Sequence, residues 1–274
     1  MNYRHDDHVG NHADVFKHFA WTLLIGSLKA SGQALDVLDT HAGAGKYLLP
    51  SGFGGSVSPP HGPWASGLGR LLTASDATGA VASFRALLAD HVNAAPPFYA
   101  GSPVLSAALC GDGDRIVLVE RDSATRARLG RALAGDTRVH VAAGDGFEQA
   151  ARASCAGRVG VTLVDPPYHA DPEIDQVEAL CEVSPRGGVG DTGVLMVWYP
   201  LMAGRRVPVF PPGMRAELRV RRSGGLFGSG LWWRGGPDRF TAALQRALPA
   251  LARALAQDEA AVSRLLSHPA AVSS

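Results

Sequence analysis

The sequence predicts an α/β protein built on a doubly wound, mainly parallel sheet. Short apolar runs alternate along the chain with segments of about ten or more residues that have helical periodicity. This alternation favours parallel strands joined by helical crossovers. Two of the apolar runs end in distinctive turns, DTHAGAG at 39–45 and DPPY at 165–168. Because ligands of such sheets bind at the carboxyl ends of the strands, we expect a ligand site there.

Size and composition favour one folded domain. The chain has 274 residues, of which 46% are hydrophobic and 19% charged, as in ordinary globular proteins. The formal net charge of +1 gives no overall attraction to nucleic acid, so such a partner would need a local basic patch. We therefore treat 1–274 as a single domain, with 49–98 as a small helical insertion.

The first third of the chain supplies a helix, a strand and this insertion. Apolar residues from Phe16 to Leu28 recur at helical spacing and predict a helix at about 12–30. ALDVLD at 34–39 is a short buried strand that leads into the glycine turn. Residues 49–98 begin rich in Gly, Ser and Pro and then become helical. Ser102-Pro103 predicts a helix start, with Ser as N-cap and Pro at the first helical position.

The remaining elements continue the alternation and end in a closing antiparallel pair. Strands are predicted at RIVLVE (115–120), VGVTLV (159–164) and GVLMVWYP (193–200), and RVHVAAGDG (138–146) is predicted to be a strand with a loop. Helices are predicted at SATRARLGRALA (123–134) and RFTAALQRALPALARALA (239–256). RAELRV (215–220) and SGLWWR (229–234) are expected to form the antiparallel pair.

A histidine-rich stretch opens the chain, YRHDDHVGNHADVFKH at 3–18, and holds four of the ten histidines. Its spacing contains no HExxH motif and no cysteine partner, which disfavours a metal site. The widely spaced Cys110, Cys155 and Cys181 lack a CxxC motif and indicate reduced thiols in a cytoplasm. We expect no metal and a cytoplasmic location.

The glycine turn is a weak signal by itself. Gly43 and Gly45 allow close approach of a nucleoside, but Leu48 stands where a dinucleotide fingerprint needs a third glycine. A nicotinamide-dependent oxidoreductase is therefore disfavoured. Glu120 is a candidate clamp for ribose hydroxyls, and Asp145-Gly146 a candidate for an adenine edge. For both acids an ordinary helix N-cap is the alternative.

The DPPY motif at 165–168 is the most specific signal in the sequence and is typical of amino-group methyltransferases. The Asp165 carboxylate and the Pro166 carbonyl can each accept one N–H of an exocyclic amine. They thereby favour rehybridisation of its nitrogen as a methyl group approaches in line. The two prolines restrict the loop, and Tyr168 can stack on a flipped base. The alternative is a plain Asp-Pro-Pro turn at the end of a strand.

The same residues discriminate among methyl acceptors. Cytosine C5 methylation uses a cysteine nucleophile in a Pro-Cys context, and none of the three cysteines has one. NPPY would favour glutamine and SPPY the N4 atom of cytosine. Asp165 at the first position therefore favours the N6 atom of adenine.

Several motifs together resemble the RlmJ family of bacterial large-subunit ribosomal RNA methyltransferases. In chain order they are YRHDDHVGNHADVFKH, LDTHAGAGKY, YAGSP, DGF, VDPPY and WYP. The resemblance implies a Rossmann-like class I S-adenosylmethionine-dependent methyltransferase, with that compound as methyl donor. It further implies that the chain is a monomer acting on adenine N6 in 23S rRNA, at adenine 2030, before ribosome assembly is complete.

The resemblance also assigns site residues. Cofactor contacts are implied for His18, His41, Gly43, Ser102, Glu120, Asp145, Gly146 and Asp165. Catalysis is implied for Asp165, Pro166 and Tyr168. Substrate contacts are implied for Tyr3, His5, Lys17 and Tyr168. The stretches 51–63 and 205–213 depart from the family's pattern, which bears on RNA docking more than on the chemistry.

Two other functions stay open at this point. A DNA adenine-N6 methyltransferase shares the chemistry, but the sequence shows no second domain for reading duplex DNA. A non-catalytic RNA-binding or metal-binding module could be built on the histidine-rich stretch. No run of eighteen apolar residues occurs, so we expect no membrane partner.

Overall fold

The computed structural model describes residues 9–50, 53, 62–75, 77–152, 158–183, 193–220 and 225–255, and the backbone of 262–267. Tyr3 and His5, the two predicted substrate contacts in the opening stretch, lie outside the described residues, as do His8 and Cys155.

Helices and strands alternate along the described chain. The helices are α1 (His12–Lys29), α2 (Leu68–Thr73), α3 (Gly79–Val92), α4 (Ser102–Leu109), α5 (Ser123–Ala132), α6 (Gly146–Arg152), α7 (Asp171–Val183) and α8 (Asp238–Leu255). The strands are β1 (Leu35–Asp39), β2 (Lys46–Leu48), β3 (Phe98–Ala100), β4 (Arg115–Val119), β5 (Val139–Ala142), β6 (Val159–Val164), β7 (Val194–Met202), β8 (Met214–Arg219), β9 (Leu226–Arg234) and β10 (Val262–Ser267).

One sheet contains eight of these strands in the order β5-β4-β1-β6-β7-β9-β8-β10. The five strands from β5 to β7 are parallel to their neighbours, which confirms the predicted parallel sheet. Strand β9 is antiparallel to both β7 and β8, so the predicted antiparallel pair is also confirmed. Chain order runs outward in opposite directions from β1 and β6, and the switch point of the sheet therefore lies between them.

Alternation of side chains along the strands creates a core on each face of the sheet. On β1, Val37 belongs to the larger apolar cluster, with α1, α4 and α8, whereas the adjacent Leu38 belongs to the smaller one, with α7. All five residues of β1 are buried, as expected for a central parallel strand.

Helix α1 is the central helix of the larger cluster. The Asn11 side chain caps it by accepting from the amides of Ala13 and Asp14, at 2.8 and 3.0 Å. Thirteen of its eighteen residues are buried, and these include Asp14, Lys17 and His18. Because buried charges need partners, these polar residues point to a site rather than to packing alone.

The described part of residues 49–98 is helical and shares the main core. Helices α2 and α3 pack on α8, and Phe84 of α3 meets Phe19 of α1 edge-on at 5.6 Å. The amide of Leu68 donates to the carbonyl of Gly10 at 2.8 Å, which ties this segment to the entry of α1. That this segment is a separate insertion stays a prediction.

Two details differ from expectation. Gly101, not Ser102, is the N-cap of α4, because the Ser102 hydroxyl donates instead to the Asp39 carboxylate. The antiparallel pair of β2 and β3, three residues each, and the edge strand β10 were not predicted from the sequence. Within the described residues, no helix is both long and apolar enough to cross a membrane.

Candidate active site

The loop after β1 bridges its two neighbouring strands at their carboxyl ends. Its Thr40 amide donates to the carbonyl of Leu163 on β6 at 3.1 Å, and its Ala42 amide to that of Val119 on β4 at 3.0 Å. The predicted site motifs therefore converge at one edge of the sheet, around the switch point.

Gly43 holds the turn of this loop. It has a φ of +62°, and a Cβ there would lie 2.3 Å from the hydroxyl oxygen of Tyr47. That hydroxyl is fixed because it accepts from the Ala44 amide at 3.1 Å. A side chain at residue 43 is thus excluded by both conformation and space.

Glu120 links the glycine loop to the end of β4. Its Oε2 accepts from the Gly43 amide at 3.1 Å, and its Oε1 accepts from the Asp122 amide at 2.8 Å. A carboxylate oxygen can accept more than one hydrogen bond, so this half-buried group keeps capacity for ribose hydroxyls. The structure brings Glu120 and Gly43 together, and a cofactor contact by either residue stays a prediction.

Asp145 caps the short helix α6. Its Oδ1 accepts from the amides of Phe147 and Glu148 at 2.8 and 3.2 Å, which is the N-cap alternative. Gly146 packs so tightly that a Cβ there would lie 2.1 Å from the Thr40 carbonyl oxygen. This contact explains the glycine, and it holds the loop after β5 beside the loop after β1.

Asp39 is a buried acid at the end of β1 for which the sequence predicts no separate role. Its Oδ2 accepts from the Ser102 hydroxyl at 2.6 Å, and its Oδ1 from the His41 amide at 3.3 Å. Burial, with the nearby charge of Asp165, raises the pKa of Asp39 from 3.8 to about 6, despite the Ser102 hydrogen bond.

His41 follows in the same loop. Its Nδ1 lies 2.7 Å from the Thr40 hydroxyl oxygen, and its ring meets the Phe147 ring edge-on at 5.0 Å. Burial lowers the pKa of the imidazole from 6.5 to about 4 and outweighs the charges of Asp165 and Asp145. His41 is therefore neutral at pH 7.

His18 lies deeper, on α1. Its Nδ1 is 2.7 Å from the hydroxyl oxygen of Tyr99, and the residue is 2% exposed. Tyr99 pairs with Tyr47 in the β2–β3 ribbon, so His18 connects α1 to the base of the glycine loop. This placement is behind the loop, and a direct cofactor contact by His18 stays a prediction.

Lys17 joins α1 to the DPPY loop. Its Nζ donates to Asp165 Oδ2 at 2.5 Å and to Asp14 Oδ1 at 3.0 Å, and its side chain is 4% exposed. Burial alone would lower the pKa of Lys17, but the charges of Asp14 and Asp165 outweigh burial and raise it. The ammonium therefore stays protonated and cannot act as a base.

The DPPY loop ends in a constrained tyrosine. Tyr168 has a φ of +51°, which non-glycine residues seldom adopt. Its hydroxyl donates to the Trp198 carbonyl at 2.6 Å, and Arg205 donates to the carbonyls of Tyr168 and His169. These contacts, from β7 and the loop after it, hold the backbone just past Asp165.

Tyr168 is not placed to stack on a base. Its ring is 3% exposed and packs at 5.8 Å against the ring of Trp198, in the smaller apolar cluster. The predicted stacking role is therefore not supported by this conformation. Its burial instead supports the loop that carries Asp165.

Trp198 is a site residue that the motif WYP contained but that was not singled out. Its half-buried ring lies 5.6 Å below Lys17 Nζ, a cation–π distance. Its indole Nε1 has no hydrogen-bond partner among the described residues. The available signal was its position on β7, because Trp198 directly follows the part of that strand that pairs with β6.

Known proteins identify the family. Residues 32–265 match the family described as ribosomal RNA large subunit methyltransferase D, RlmJ. The chain belongs to the RlmJ family. It is 31% identical over 211 residues to the large-subunit rRNA methyltransferase J of Escherichia coli, covering 76% of this chain and 72% of that protein. It is 29% identical over 270 residues to the Haemophilus influenzae protein of that name, covering 93% and 94%.

A solved structure agrees with the RlmJ assignment at the level of fold. The crystal structure of a Legionella pneumophila protein superposes with a TM-score of 0.76 at 21% identity, covering 96% of this chain and 99% of that one. The expected fold is thus confirmed as a mixed α/β, Rossmann-like fold with a mostly parallel central sheet.

Proposed function

We propose that this chain transfers a methyl group from S-adenosylmethionine to the N6 atom of an adenine in 23S rRNA, adenine 2030 by family resemblance. The observation that carries the proposal is the buried Lys17–Asp165 pair. It joins the family's N-terminal motif to the DPPY loop, at the same edge of the sheet as the glycine loop.

The residues at this edge fit S-adenosylmethionine, whose sulfonium would supply an activated methyl group. Gly43 leaves the loop backbone without a side chain, and Glu120 offers carboxylate oxygens at the end of the neighbouring strand. The buried acid Asp39 is held by Ser102 and is suited to a ligand that carries positive charge. His41, Asp145 and Gly146, for which the resemblance implies cofactor contacts, lie in or beside the same loop.

Asp165 is the proposed acceptor of an adenine N6–H. Lys17 occupies its Oδ2, which orients the carboxylate and leaves Oδ1 as the acceptor for the amine. The Lys17 ammonium donates to the Asp165 carboxylate, whose oxygens act as hydrogen-bond acceptors. The Pro166 carbonyl would accept the second N–H, so the amine nitrogen is turned toward the methyl donor.

No strong base is needed in this scheme. The lone pair of an exocyclic amine is delocalised into the ring, and the amine becomes acidic as its nitrogen gains charge. Acceptors that are already in place lower the barrier without reorganising. Tyr168 and Arg205 serve the proposal by holding the loop, and Tyr3 and His5 stay proposed substrate contacts.

The substrate is proposed from the relatives. Both curated relatives are named as methyltransferases of the ribosomal large-subunit RNA. A cytoplasmic monomer that acts on 23S rRNA before assembly is complete, without a metal, completes the proposal. DNA adenine methylation is the alternative that the experiment must separate.

The test is methyl transfer to deproteinised 23S rRNA from a cell that lacks the modification. With labelled S-adenosylmethionine, we expect the label in N6-methyladenosine after digestion to nucleosides, at one mapped position. The Asp165→Ala protein should lose at least a hundredfold in rate while keeping its circular dichroism spectrum, because it loses the amine acceptor. Label only in a duplex DNA control would disprove the rRNA assignment, and an active Asp165→Ala protein would disprove the role of Asp165.

A further inference from the structure

A second buried carboxylate lies behind the Lys17–Asp165 pair. Asp14, one helical turn before Lys17 on α1, accepts from Lys17 Nζ through Oδ1 at 3.0 Å, and its side chain is 7% exposed. The lysine therefore bridges two carboxylates, of which only Asp165 belongs to the DPPY loop.

The other oxygen of Asp14 holds the backbone where the chain enters α1. Its Oδ2 accepts from the Gly10 amide at 3.0 Å, while the Gly10 carbonyl accepts from Leu68. Gly10 has a φ of +71°, a conformation that favours glycine. Both the amide and the carbonyl of Gly10 are thus held, just before α1 begins.

We propose that Asp14 is a positioning residue for methyl transfer. It holds Lys17 against Asp165, and it fixes the backbone at Gly10, where the chain enters α1. The inference rests on the proposed function, because Asp14 is inferred to act on the residues of the same site.

Charge gives the reason for a carboxylate at this position. The buried ammonium of Lys17 faces Asp14 on its own helix, Asp165 after β6 and Asp39 after β1. Without Asp14 the lysine would be compensated mainly by Asp165, whose oxygens would then be weaker acceptors for an amine. Asparagine cannot restore the arrangement, since its single carbonyl can serve Lys17 or Gly10 and its NH₂ group faces the other donor.

The experiment compares Asp14→Asn with a matched control, Asp114→Asn. Asp114 is also buried, binds Lys29 of the same helix at 2.7 Å, and accepts from the amides of Leu35 and Gly111, but it lies away from the DPPY loop. We expect Asp14→Asn to lower kcat on 23S rRNA about tenfold or more, with the Kd of S-adenosylmethionine by calorimetry changed less than twofold. Asp114→Asn should lower the melting temperature and leave kcat within twofold.

A second variant and a readout other than activity complete the test. Asp14→Glu keeps the charge but displaces the carboxylate by one methylene, so kcat should fall here too if position matters. Hydrogen exchange at the Gly10 amide should be faster in both Asp14 variants than in the parent protein. Unchanged kcat in both variants, or an equal loss of kcat in Asp114→Asn, would overturn the inference.

The possible results distinguish a failure of the proposed function from a failure of the inference about Asp14. If the parent protein does not methylate 23S rRNA, the proposed function fails, while Gly10 exchange still reports whether Asp14 anchors the chain. If the parent protein is active and Gly10 exchange is unaltered in both Asp14 variants, the anchoring role of Asp14 is wrong.

Discussion

Asp39 and His41 show how burial sets the protonation of neighbouring groups in opposite senses. The pKa of Asp39 rises to about 6 because the carboxylate loses water, and the pKa of His41 falls to about 4 for the same reason. Both shifts favour the neutral form. At pH 7 His41 is therefore neutral, whereas Asp39, with a pKa of about 6, is still mostly ionised.

The pH dependence of stability tests the Asp39 shift. The folded protein keeps this proton up to about pH 6, whereas the unfolded chain releases it near 3.8, so ionising Asp39 opposes folding as the pH rises through this window. Neutral His41 has the opposite slope between pH 4 and 6.5. Asp39→Asn removes only the first slope.

We therefore expect the unfolding free energy of Asp39→Asn, relative to the parent protein, to increase between pH 4 and 7 by up to about 3 kcal/mol. Urea titrations of both proteins at several pH values measure this difference. Parallel curves for the two proteins would show that Asp39 has an ordinary pKa. Asparagine is the suitable replacement because its side-chain oxygen can still accept from Ser102.

At the level of single residues, the sequence predicts which residues carry the chemistry but not which of them contact each other. Lys17 and Asp165 are 148 residues apart, and neither residue identifies the other by spacing. Asp14 carries a local clue, the i,i+3 relation to Lys17, but helical spacing alone does not distinguish a surface pair from a buried one. Only the packing of α1 against the sheet edge makes that distinction.

Among the elements, the loop between β6 and α7 is held from outside by the loop after β7. Arg205 donates to two carbonyls just past the DPPY turn, and Tyr168 keeps its positive φ between this contact and its hydrogen bond to Trp198. Three polar contacts thus oppose relaxation of a backbone conformation that costs on the order of 1 kcal/mol.

Arg205→Ala should lower kcat severalfold or more, because the backbone after Asp165 is released from the loop after β7. The melting temperature should change little, since Arg205 is exposed. Arg206→Ala is the matched control, because that neighbour pairs instead with Asp175 and Glu178 of α7. Steady-state kinetics that give equal values for both variants would contradict the role of Arg205.

The predicted elements were largely correct because periodicity and turn chemistry are local. Helix α1 and strands β1, β4, β6 and β7 lie where the sequence placed them, within one or two residues. The prediction that Ser102 is the N-cap of α4 was wrong, because the Ser102 hydroxyl donates to Asp39 instead. The β2–β3 pair was missed because it forms only through contacts over about fifty residues of chain.

The described part of the chain is organised around one central eight-stranded sheet with a core on each face, and its stability should therefore respond as a unit to ligand at the switch point. We expect S-adenosylmethionine at a hundred times its Kd to stabilise the fold by about 2.7 kcal/mol, which is several degrees in melting temperature. NADH should give no shift, as the incomplete glycine fingerprint indicates. A shift with NADH and none with S-adenosylmethionine would reverse the cofactor assignment.

Strand order lay beyond sequence reasoning at this scale. The alternation of helices and strands predicted a parallel sheet, but nothing local specifies that β9 lies between β7 and β8. That choice depends on which long-range pairing buries the most apolar surface, as with Trp232 and Trp233 of β9, both almost fully buried.

The close approach of Gly67 to the entry of α1 limits how this enzyme can be redesigned. A Cβ at residue 67 would lie 2.3 Å from both the Asn11 carbonyl carbon and the Gly10 carbonyl oxygen. We therefore expect that residues 49–98 cannot be excised as a detachable module, even though none of the predicted site residues lies among them. Shortening this segment would remove the hydrogen bond from Leu68 to Gly10 and the apolar neighbours of α1 such as Phe84. A shortened version of the enzyme should therefore retain it.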